Sequence, residues 1–292
     1  MKKKNMFTQA ILIIFFTILC ALIIFPFLLL VSVSLSDAET VATGYKLIPN
    51  PIDFSAYQYV FKNPTSILRA YGVTFVFSAS AMVLGVLFMS MVAYPLSRTK
   101  LKGRGVLNFY LYFTMLFGGG LVPTYLLISK VLHLNDTIWV YILPGLISPW
   151  YVFMIRTFFR GIPEEIIESA TIDGASEYTI FIKMILPLSK PVLATVALFT
   201  FLGKWNDWNT ALIYIENQKL YSLQYLLQKI MTDLDMLKQL QQMGAGMANN
   251  MDVPSESMRM AMAVIAAGPA LVVFPFFQKY FVKGLTVGSV KG

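Results

Sequence analysis

The chain contains very few of the residues that build chemical sites in soluble proteins. It has one cysteine and one histidine in 292 residues, and charged side chains make up only 13 % of it. Cys20 alone excludes an internal disulfide and a cysteine-based metal site, and His133 has no accompanying set of metal ligands or catalytic partners. The pattern G-x-x-x-x-G-K-[ST] is also missing, which excludes P-loop ATP hydrolysis by this chain. We therefore expect no enzyme activity, no catalytic residue, and neither a cofactor nor a metal.

Apolar residues dominate instead. They account for 57 % of the chain, and the mean hydropathy of +0.66 lies far outside the range of soluble domains. The N-terminal MKKKNMF resembles the start of a signal peptide, but the apolar run continues from Ile11 to Val33 without a cleavage site, so it predicts a transmembrane helix. The net charge of +8 then indicates lysine and arginine facing an anionic lipid leaflet, and not nucleic acid.

Six apolar stretches are long enough to cross a bilayer, which takes about 20 residues. They predict an all-α integral membrane protein. The spans lie near 11–33, 70–96, 106–128, 138–158, 186–204 and 260–278. The proline residues within them are acceptable in a helix bundle, because neighbouring helices can satisfy the freed backbone groups.

Basic residues predict the orientation. They cluster in 2–4, in the loop 98–104 and in the tail, which all lie on one side of six spans. The positive-inside rule makes that side the cytoplasm. We therefore predict cytoplasmic termini at 1–10 and 283–292, a first transmembrane helix at 11–33, an extracytoplasmic loop at 34–69, and a core at 70–282 with five transmembrane helices.

The core includes a second extracytoplasmic segment, 205–259, which is predicted to form one amphipathic helix followed by a Gly/Ala/Asn stretch. It either contacts an external partner or caps the bundle. Within the predicted spans, Ser78, Ala81 and Gly85 favour close helix packing. Gly118 to Gly120 indicate either a tight helix crossing, which we favour, or a helix opened beside a cavity.

The segment 161–186 interrupts the apolar sequence on the cytoplasmic side. Pro163 suits a helix start, and the acidic residues that follow it favour the positive end of the helix dipole. Gly174 is placed to end this helix, and a second helix is predicted from Ser176 to Leu186. The first helix would lie flat on the cytoplasmic surface and would carry an apolar face. A protein partner that binds this face is the simplest way to bury it.

This segment resembles the EAA loop of ABC importer permeases. The matching positions are Glu168, Ser169, Ala170, Gly174, Met184, Leu186 and Pro187, with Ser169 and Met184 as conservative departures. AYPLSR at 93–98, WNDW at 205–208 and the final FVKGLTVGSVKG are similar to the MalG-type subunit of bacterial carbohydrate importers. FGGGLVPTYLLI at 117–128 is similar to the branch that takes up oligosaccharides and polysaccharides.

The resemblance implies a type I importer permease in the bacterial inner membrane, with carbohydrate as substrate. Its partners would be a second permease subunit, two ATPase subunits that bind ATP and magnesium, an extracytoplasmic solute-binding protein and membrane lipid. Glu168 would be the charged contact to the ATPase, and Gly174 the turn that lets the coupling helix fit. The loop positions implied to couple ATP hydrolysis to transport are Glu168, Ser169, Ala170, Asp173, Gly174, Leu186 and Pro187.

Aromatic and polar residues near the fifth span are candidates for the substrate pathway. A tryptophan face can stack on a sugar ring, and asparagine or aspartate can bond to hydroxyl groups; an aromatic belt with a helix cap is the alternative. The candidates are Trp150, Tyr151, Trp205, Asn206, Asp207 and Trp208. A different solute, such as a sugar phosphate, also fits the sequence. A gradient-driven transporter fits less well, because the spans contain almost no carboxylate away from their ends.

Overall fold

The computed structural model describes residues 2–242 and 255–287, and these residues form helices joined by turns, with no β-strand among them. The longer helices are α1 (Lys2–Ser34), α4 (Pro64–Ser97), α5 (Arg104–Leu116), α8 (Pro149–Arg160), α12 (Lys190–Trp205), α14 (Leu223–Gln242) and α15 (Ser255–Val287). The shorter ones are α2 (Ala38–Thr43), α3 (Ser55–Val60), α6 (Leu121–Leu126), α7 (Trp139–Ile142), α9 (Glu164–Ile172), α10 (Glu177–Ile180), α11 (Leu186–Leu188) and α13 (Asn209–Tyr214). Wider π turns at Leu127–Val131 and Phe181–Ile185 extend α6 and α10.

Within the described residues, three helices are long and apolar enough to cross a membrane, and up to five spans result if each of two bent pairs counts as one. The three are Thr8–Ser34, Pro64–Ser97 and Glu256–Pro275. The bent pairs are Arg104–Leu116 with Leu121–Val131, at 111°, and Glu177–Leu188 with Lys190–Trp205, at 78°. No part of the most apolar stretch of α1 is buried in the protein, as expected for a helix that faces lipid.

The third predicted span is broken, and the favoured tight crossing at its glycines is wrong. The chain leaves helical geometry between Leu116 and Leu121, and Gly120 has φ of +82°. A Cβ added at Gly118 or Gly120 would meet no atom within 4 Å, and one at Gly119 would meet only Pro123, at 3.8 Å. The glycines therefore let the backbone turn sharply and do not make room for a neighbouring helix.

The fourth predicted span, 138–158, is two helices instead of one. The helix α7 ends at Ile142, and α8 begins at Pro149. Pro144 lacks a backbone donor, and Gly145 has φ of +72°, a left-handed conformation that interrupts a helix. The prediction of one continuous span was based on apolar composition, and composition carries no information about where the backbone turns.

Two compact units make up the chain, one from residues 1–67 and 227–269 and the other from 68–226 and 270–292. In the first, α14 confirms the predicted amphipathic helix, and Arg259 of α15 pairs with Asp235 of α14 at 2.6 Å. The Ser257 hydroxyl donates to the Ser36 carbonyl at 2.8 Å. The Gly/Ala/Asn stretch and the end of the tail, 243–254 and 288–292, lie outside the described residues.

The second unit has two buried apolar clusters. One joins the end of α4 to α8, α9, α10 and α12. The other joins the first half of α4 to α7 and α13, and in it Phe77 and Tyr141 stack with ring centroids 4.3 Å apart. The backbone amide of Leu223 donates to the Thr74 hydroxyl at 2.8 Å, so the start of α14 is also held to α4.

Gly85 of α4 packs closely against the turn that joins α7 to α8. A Cβ at this position would lie 3.2 Å from the Leu146 carbonyl oxygen, which is tighter than ordinary van der Waals contact. The predicted role of the small residue in packing is therefore confirmed.

Replacement of Gly85 by valine should force α4 away from this turn and lower the free energy of unfolding by about 1–3 kcal/mol. Gly72→Val is the matched control, since Gly72 lies on the same helix and its Cβ would meet nothing within 4 Å. Thermal unfolding of the two purified variants in one detergent measures the difference. Equal midpoints would show that the approach at Gly85 is not constrained.

Candidate functional site

The helix α9 is attached to the second unit by one face. Ile167 and Ala170 are buried in the cluster that contains Ile155 and Phe159 of α8, and they are three residues apart, as required for one helical face. Glu164 lies in the first turn, where the helix dipole favours an anion. The pattern predicted from the sequence thus becomes a short helix with one buried face and one free face.

Gly174 ends this helix as predicted. Its φ is +80°, its amide donates to the Thr171 carbonyl at 3.1 Å, and the Ala175 amide donates to the Ala170 carbonyl at 2.9 Å. This pair of hydrogen bonds is the Schellman arrangement, in which a residue with positive φ satisfies the last carbonyl groups of a helix. A residue with a side chain is strained at this φ, so glycine suits the position.

The second helix of the loop is capped by Ser176, whose hydroxyl accepts a hydrogen bond from the Thr179 amide at 3.3 Å. Its first residue, Glu177, accepts a hydrogen bond from the Tyr94 hydroxyl near the end of α4. The guanidinium of Arg98 lies 5.8 Å from the centre of the Tyr94 ring. The loop is therefore tied to α4 by polar contacts as well as by the apolar cluster.

The free face of the loop carries most of the residues that the sequence singled out. Glu168, Ser169, Asp173 and Gly174 are exposed, and the side chain of Ile172 is 86 % exposed. A groove of about 570 Å³ follows this face, lined by Glu165, Ile166, Ser169, Ala170, Asp173, Ala175 and Met184. Leu186 and Pro187 lie apart from it, in the turn that leads to α12.

The aromatic candidates at the other end of α12 do not form one surface. Trp205 is 1 % exposed and packs against Phe201, with ring centroids 5.8 Å apart, and against Tyr71, at 6.2 Å. Trp208 and Trp150 are 43 % and 62 % exposed. The structure therefore gives Trp205 a core position, while the other two tryptophans present their rings outward.

Asn206 and Asp207 make local hydrogen bonds. The Asp207 carboxylate accepts from the Thr210 amide at 3.0 Å and from the Thr210 hydroxyl at 2.6 Å, and so satisfies an amide in the first turn of α13 from the position just before its N-cap residue, Trp208. The Asn206 side-chain amide donates to the Leu202 carbonyl at 3.0 Å, and its oxygen accepts from Gln224 at 3.3 Å. A helix cap was the alternative explanation for this motif, and Asp207 has that geometry.

Asp207 and Tyr151 nevertheless meet at a cavity of about 230 Å³. We call it the Lys204 cavity. Its lining residues are Met89, Gly145, Leu146, Ser148, Tyr151, Phe199, Thr200, Gly203, Lys204 and Asp207. The Lys204 ammonium donates to the Tyr141 carbonyl at 2.5 Å and to the Pro144 carbonyl at 3.1 Å. Trp150, Trp205, Asn206 and Trp208 do not line it.

A family model described as "Binding-protein-dependent transport system inner membrane component" matches residues 5–287. The chain belongs to this family. Protein LplC of Bacillus subtilis is 40 % identical over 93 % of this chain and 90 % of its own length. The polygalacturonan/rhamnogalacturonan transport system permease protein YtcP of the same organism is 37 % identical over 99 % of this chain and 100 % of its own.

A solved structure agrees with the sequence comparison. It is a crystal structure of a bacterial ABC transporter involved in the import of the acidic polysaccharide alginate, and it matches with a TM-score of 0.79 and 26 % identity over 95 % of this chain and 98 % of that one. The chain thus has the type I ABC importer permease fold and is an inner-membrane transport subunit. It is not catalytic, since ATP hydrolysis in such importers belongs to the partner subunits.

Sequence reasoning missed Lys204 and Thr200 in the permease. The available signal was Lys204 itself, a basic residue at the end of an apolar run, because an ionisable side chain within a membrane-spanning segment usually has a function. Thr200 gave no such signal. Its hydroxyl is buried and has no hydrogen-bond partner among the described residues, a property that depends on which neighbours surround it.

Tyr94→Phe should remove the hydrogen bond to Glu177 while keeping the ring in its cluster. The free energy of unfolding should fall by about 1 kcal/mol, because the partner carboxylate is exposed and the value of an ordinary bond applies. Tyr178→Phe is the control, since Tyr178 is 73 % exposed. Chemical or thermal unfolding measures the stability of both variants. If the Tyr94→Phe protein were as stable as the control, the hydrogen bond between Tyr94 and Glu177 would not contribute to stability.

Asp207→Ala should cost about 1 kcal/mol of stability through loss of the cap on α13, whereas Asp207→Asn should cost only a few tenths, because asparagine caps helices nearly as well as aspartate. Unfolding midpoints of the two variants test this. If alanine and asparagine were equally harmful, the negative charge of Asp207 and not its capping bonds would be the stabilising feature.

Proposed function

We propose that the permease is one of two membrane subunits of an ATP-driven carbohydrate importer that works by alternating access. In this proposal it crosses the membrane six times with both termini in the cytoplasm. Segments 34–69 and 205–259 are extracytoplasmic, and 161–186 is the coupling loop. The distribution of basic residues supports the orientation, since 2–4 and 98–104 then share the cytoplasmic side.

The substrate proposed is an oligosaccharide or polysaccharide. The names of the relatives support this class: they include the polygalacturonan/rhamnogalacturonan permease YtcP and the arabinooligosaccharide permease AraQ of Bacillus subtilis, and the structural match is to an importer of an acidic polysaccharide. A solute-binding protein would deliver the sugar from outside. The permease itself is proposed to bind no cofactor.

The observation that carries the coupling mechanism is the two-faced helix α9. Its inner face, with Ile167 and Ala170, is buried against the bundle, while Glu168 and Ile172 on the other side are exposed. A partner ATPase that binds the exposed face can therefore move the bundle through the buried one. Two ATPase subunits would serve the pair of permeases, one for each coupling loop, with Glu168 as the charged contact and Gly174 as the turn.

Glu168→Lys should reduce retention of the ATPase subunit when the complex is purified through a tag on the permease. A lysine in place of the contact glutamate reverses the charge while leaving the buried face intact. Glu216→Lys is the matched control, an exposed glutamate in the segment proposed to be extracytoplasmic. The measurement is the ratio of ATPase to permease in mild detergent. Full retention by Glu168→Lys would remove Glu168 from the docking surface.

The energy source is tested separately, with cells that accumulate a labelled oligosaccharide. Uptake should survive dissipation of the proton gradient while cellular ATP is maintained, and it should stop when ATP is depleted. Loss of uptake on dissipation alone, with ATP unchanged, would favour gradient-driven transport. The two treatments are compared in the same strain with and without the permease, so that other uptake systems are subtracted.

A further inference from the structure

Two arginine side chains from different helices are fixed at the C-terminal end of α4. The Nε of Arg156, in the last part of α8, donates to the Leu96 carbonyl at 3.1 Å. The Nη1 of Arg104, at the start of α5, donates to the Arg98 carbonyl at 3.3 Å. These two carbonyls are close in the chain and lie where a helix presents unpaired oxygens and the negative end of its dipole. The end of α4 therefore brings two guanidinium groups to one place.

Both guanidinium groups keep most of their hydrogen-bonding capacity. A guanidinium has five N–H donors, and the bonds to the α4 carbonyls use one donor of Arg104 and one of Arg156. The Arg156 guanidinium also lies 5.7 Å from the centre of the Phe153 ring, a contact that orients it. The remaining donors form a planar fork of the kind that binds two oxygens of a phosphate group.

A third arginine, Arg160, makes the charge at this place strongly positive. Arg104 and Arg160 lie close enough to Arg156 for their charges to act on it, and no carboxylate among the described residues is found to do so. Arg160 shares a cavity with Glu164 and Glu165. Even so, in the described part of the chain no ion pair within 4.0 Å joins these arginines to an acid. Because the three like charges repel one another, a bound anion relieves that repulsion as well as accepting hydrogen bonds.

The surroundings of the three arginines favour a lipid phosphate over a soluble one. Arg104 is the first residue of α5, and Val106, Phe109 and Tyr110 follow it with exposed side chains. Apolar surface thus begins within one or two turns of the guanidinium groups, as the headgroup and acyl chains of a phospholipid require. No side chain caps the start of α5 and no acid lies in its first turn, so the helix dipole there favours the same charge.

We propose that Arg104, Arg156 and Arg160 form a binding site for the phosphate of an anionic phospholipid, with the acyl chains along the exposed face of α5. We call it the arginine site. The inference goes beyond carbohydrate import and depends on the proposed function only for the side of the membrane, where the cytoplasmic leaflet supplies anionic lipid. Since α8 ends at Arg160 and α9 begins at Glu164, the bound lipid lies beside the segment 161–186.

Native mass spectrometry of the purified permease tests the site. The protein in mild detergent is titrated with phosphatidylglycerol, which is anionic, or with phosphatidylcholine, whose phosphate is balanced by a choline. Phosphatidylglycerol should bind about tenfold more tightly, the ratio expected for hydrogen bonds between charged groups. Arg160→Gln should remove this preference without disturbing the fold, because Arg160 is exposed, and Arg156→Gln should remove it as well.

Arg69→Gln is the matched control for these variants. Arg69 is an exposed arginine near the other end of α4, so its loss should leave the lipid preference unchanged. Equal affinity of the unaltered permease for the two lipids would overturn the arginine site. A preference that survives both Arg156→Gln and Arg160→Gln would overturn it too.

Two further titrations distinguish the lipid from other anions. Glycerol 1-phosphate carries the charged group without acyl chains, and a tenfold excess of it should not displace phosphatidylglycerol. Displacement at equal concentration would overturn the lipid assignment in favour of a soluble phosphate ester. The titration is repeated on the complex with the ATPase subunits, where the lipid preference should persist. Its loss in the complex would make the three arginines a protein contact instead.

Thiol labelling separates the arginine site from the proposed orientation. In a Cys20→Ser background, Lys102→Cys gives a single exposed thiol in the loop before α5. A membrane-impermeant reagent should label it in inverted vesicles and not in intact cells. Labelling in intact cells, together with the lipid preference in detergent, would leave the site standing and overturn the orientation. Labelling only in inverted vesicles, without a lipid preference, would keep the orientation and remove the site.

Discussion

Every backbone polar group within a membrane must find a hydrogen-bond partner inside the protein, so a break in a membrane helix needs partners from outside that helix. Between α7 and α8 the chain turns at Pro144 and Gly145, which frees carbonyl groups from helical pairing. Lys204 supplies the donors, with bonds of 2.5 and 3.1 Å to two of these carbonyls. The same turn lines the cavity through Gly145 and Leu146, and Leu146 also packs against Gly85.

The same principle shapes the segment 161–186, the proposed coupling loop. A helix as short as α9 gains little stability by itself, so most of it must come from packing. Ile167 and Ala170 provide that packing, and the hydrogen bonds around Gly174 satisfy the last carbonyl groups. A segment packed against the bundle on one side in this way is suited to move with it in the proposed coupling mechanism. That property is what a loop needs if it is to transmit a partner's movement.

One helix connects the two candidate regions of the permease. The helix α12 begins at Lys190, directly after the coupling loop, and its last turn carries Lys204. Its 16 residues correspond to about 24 Å at 1.5 Å per residue. Buried side chains along it, including Val192 and Phe201, pack it into the second unit. The helix α12 thus spans the distance between the segment 161–186 and the cavity, although a bend of 78° separates it from Glu177–Leu188.

The amino-acid sequence by itself determined the features that depend on neighbouring residues along the chain. The lipid-facing first helix follows from an unbroken apolar run, and the end of α9 at Gly174 follows from the residue type that positive φ requires. The absence of a side chain at Gly85 also predicted that α4 packs closely against a neighbouring segment. Only the tertiary structure decided that Trp205 is buried, that the third and fourth spans are broken, and that Tyr151, Thr200, Lys204 and Asp207 meet at one cavity. Those outcomes depend on which faces of distant helices oppose each other, and periodicity and composition carry no information about that choice.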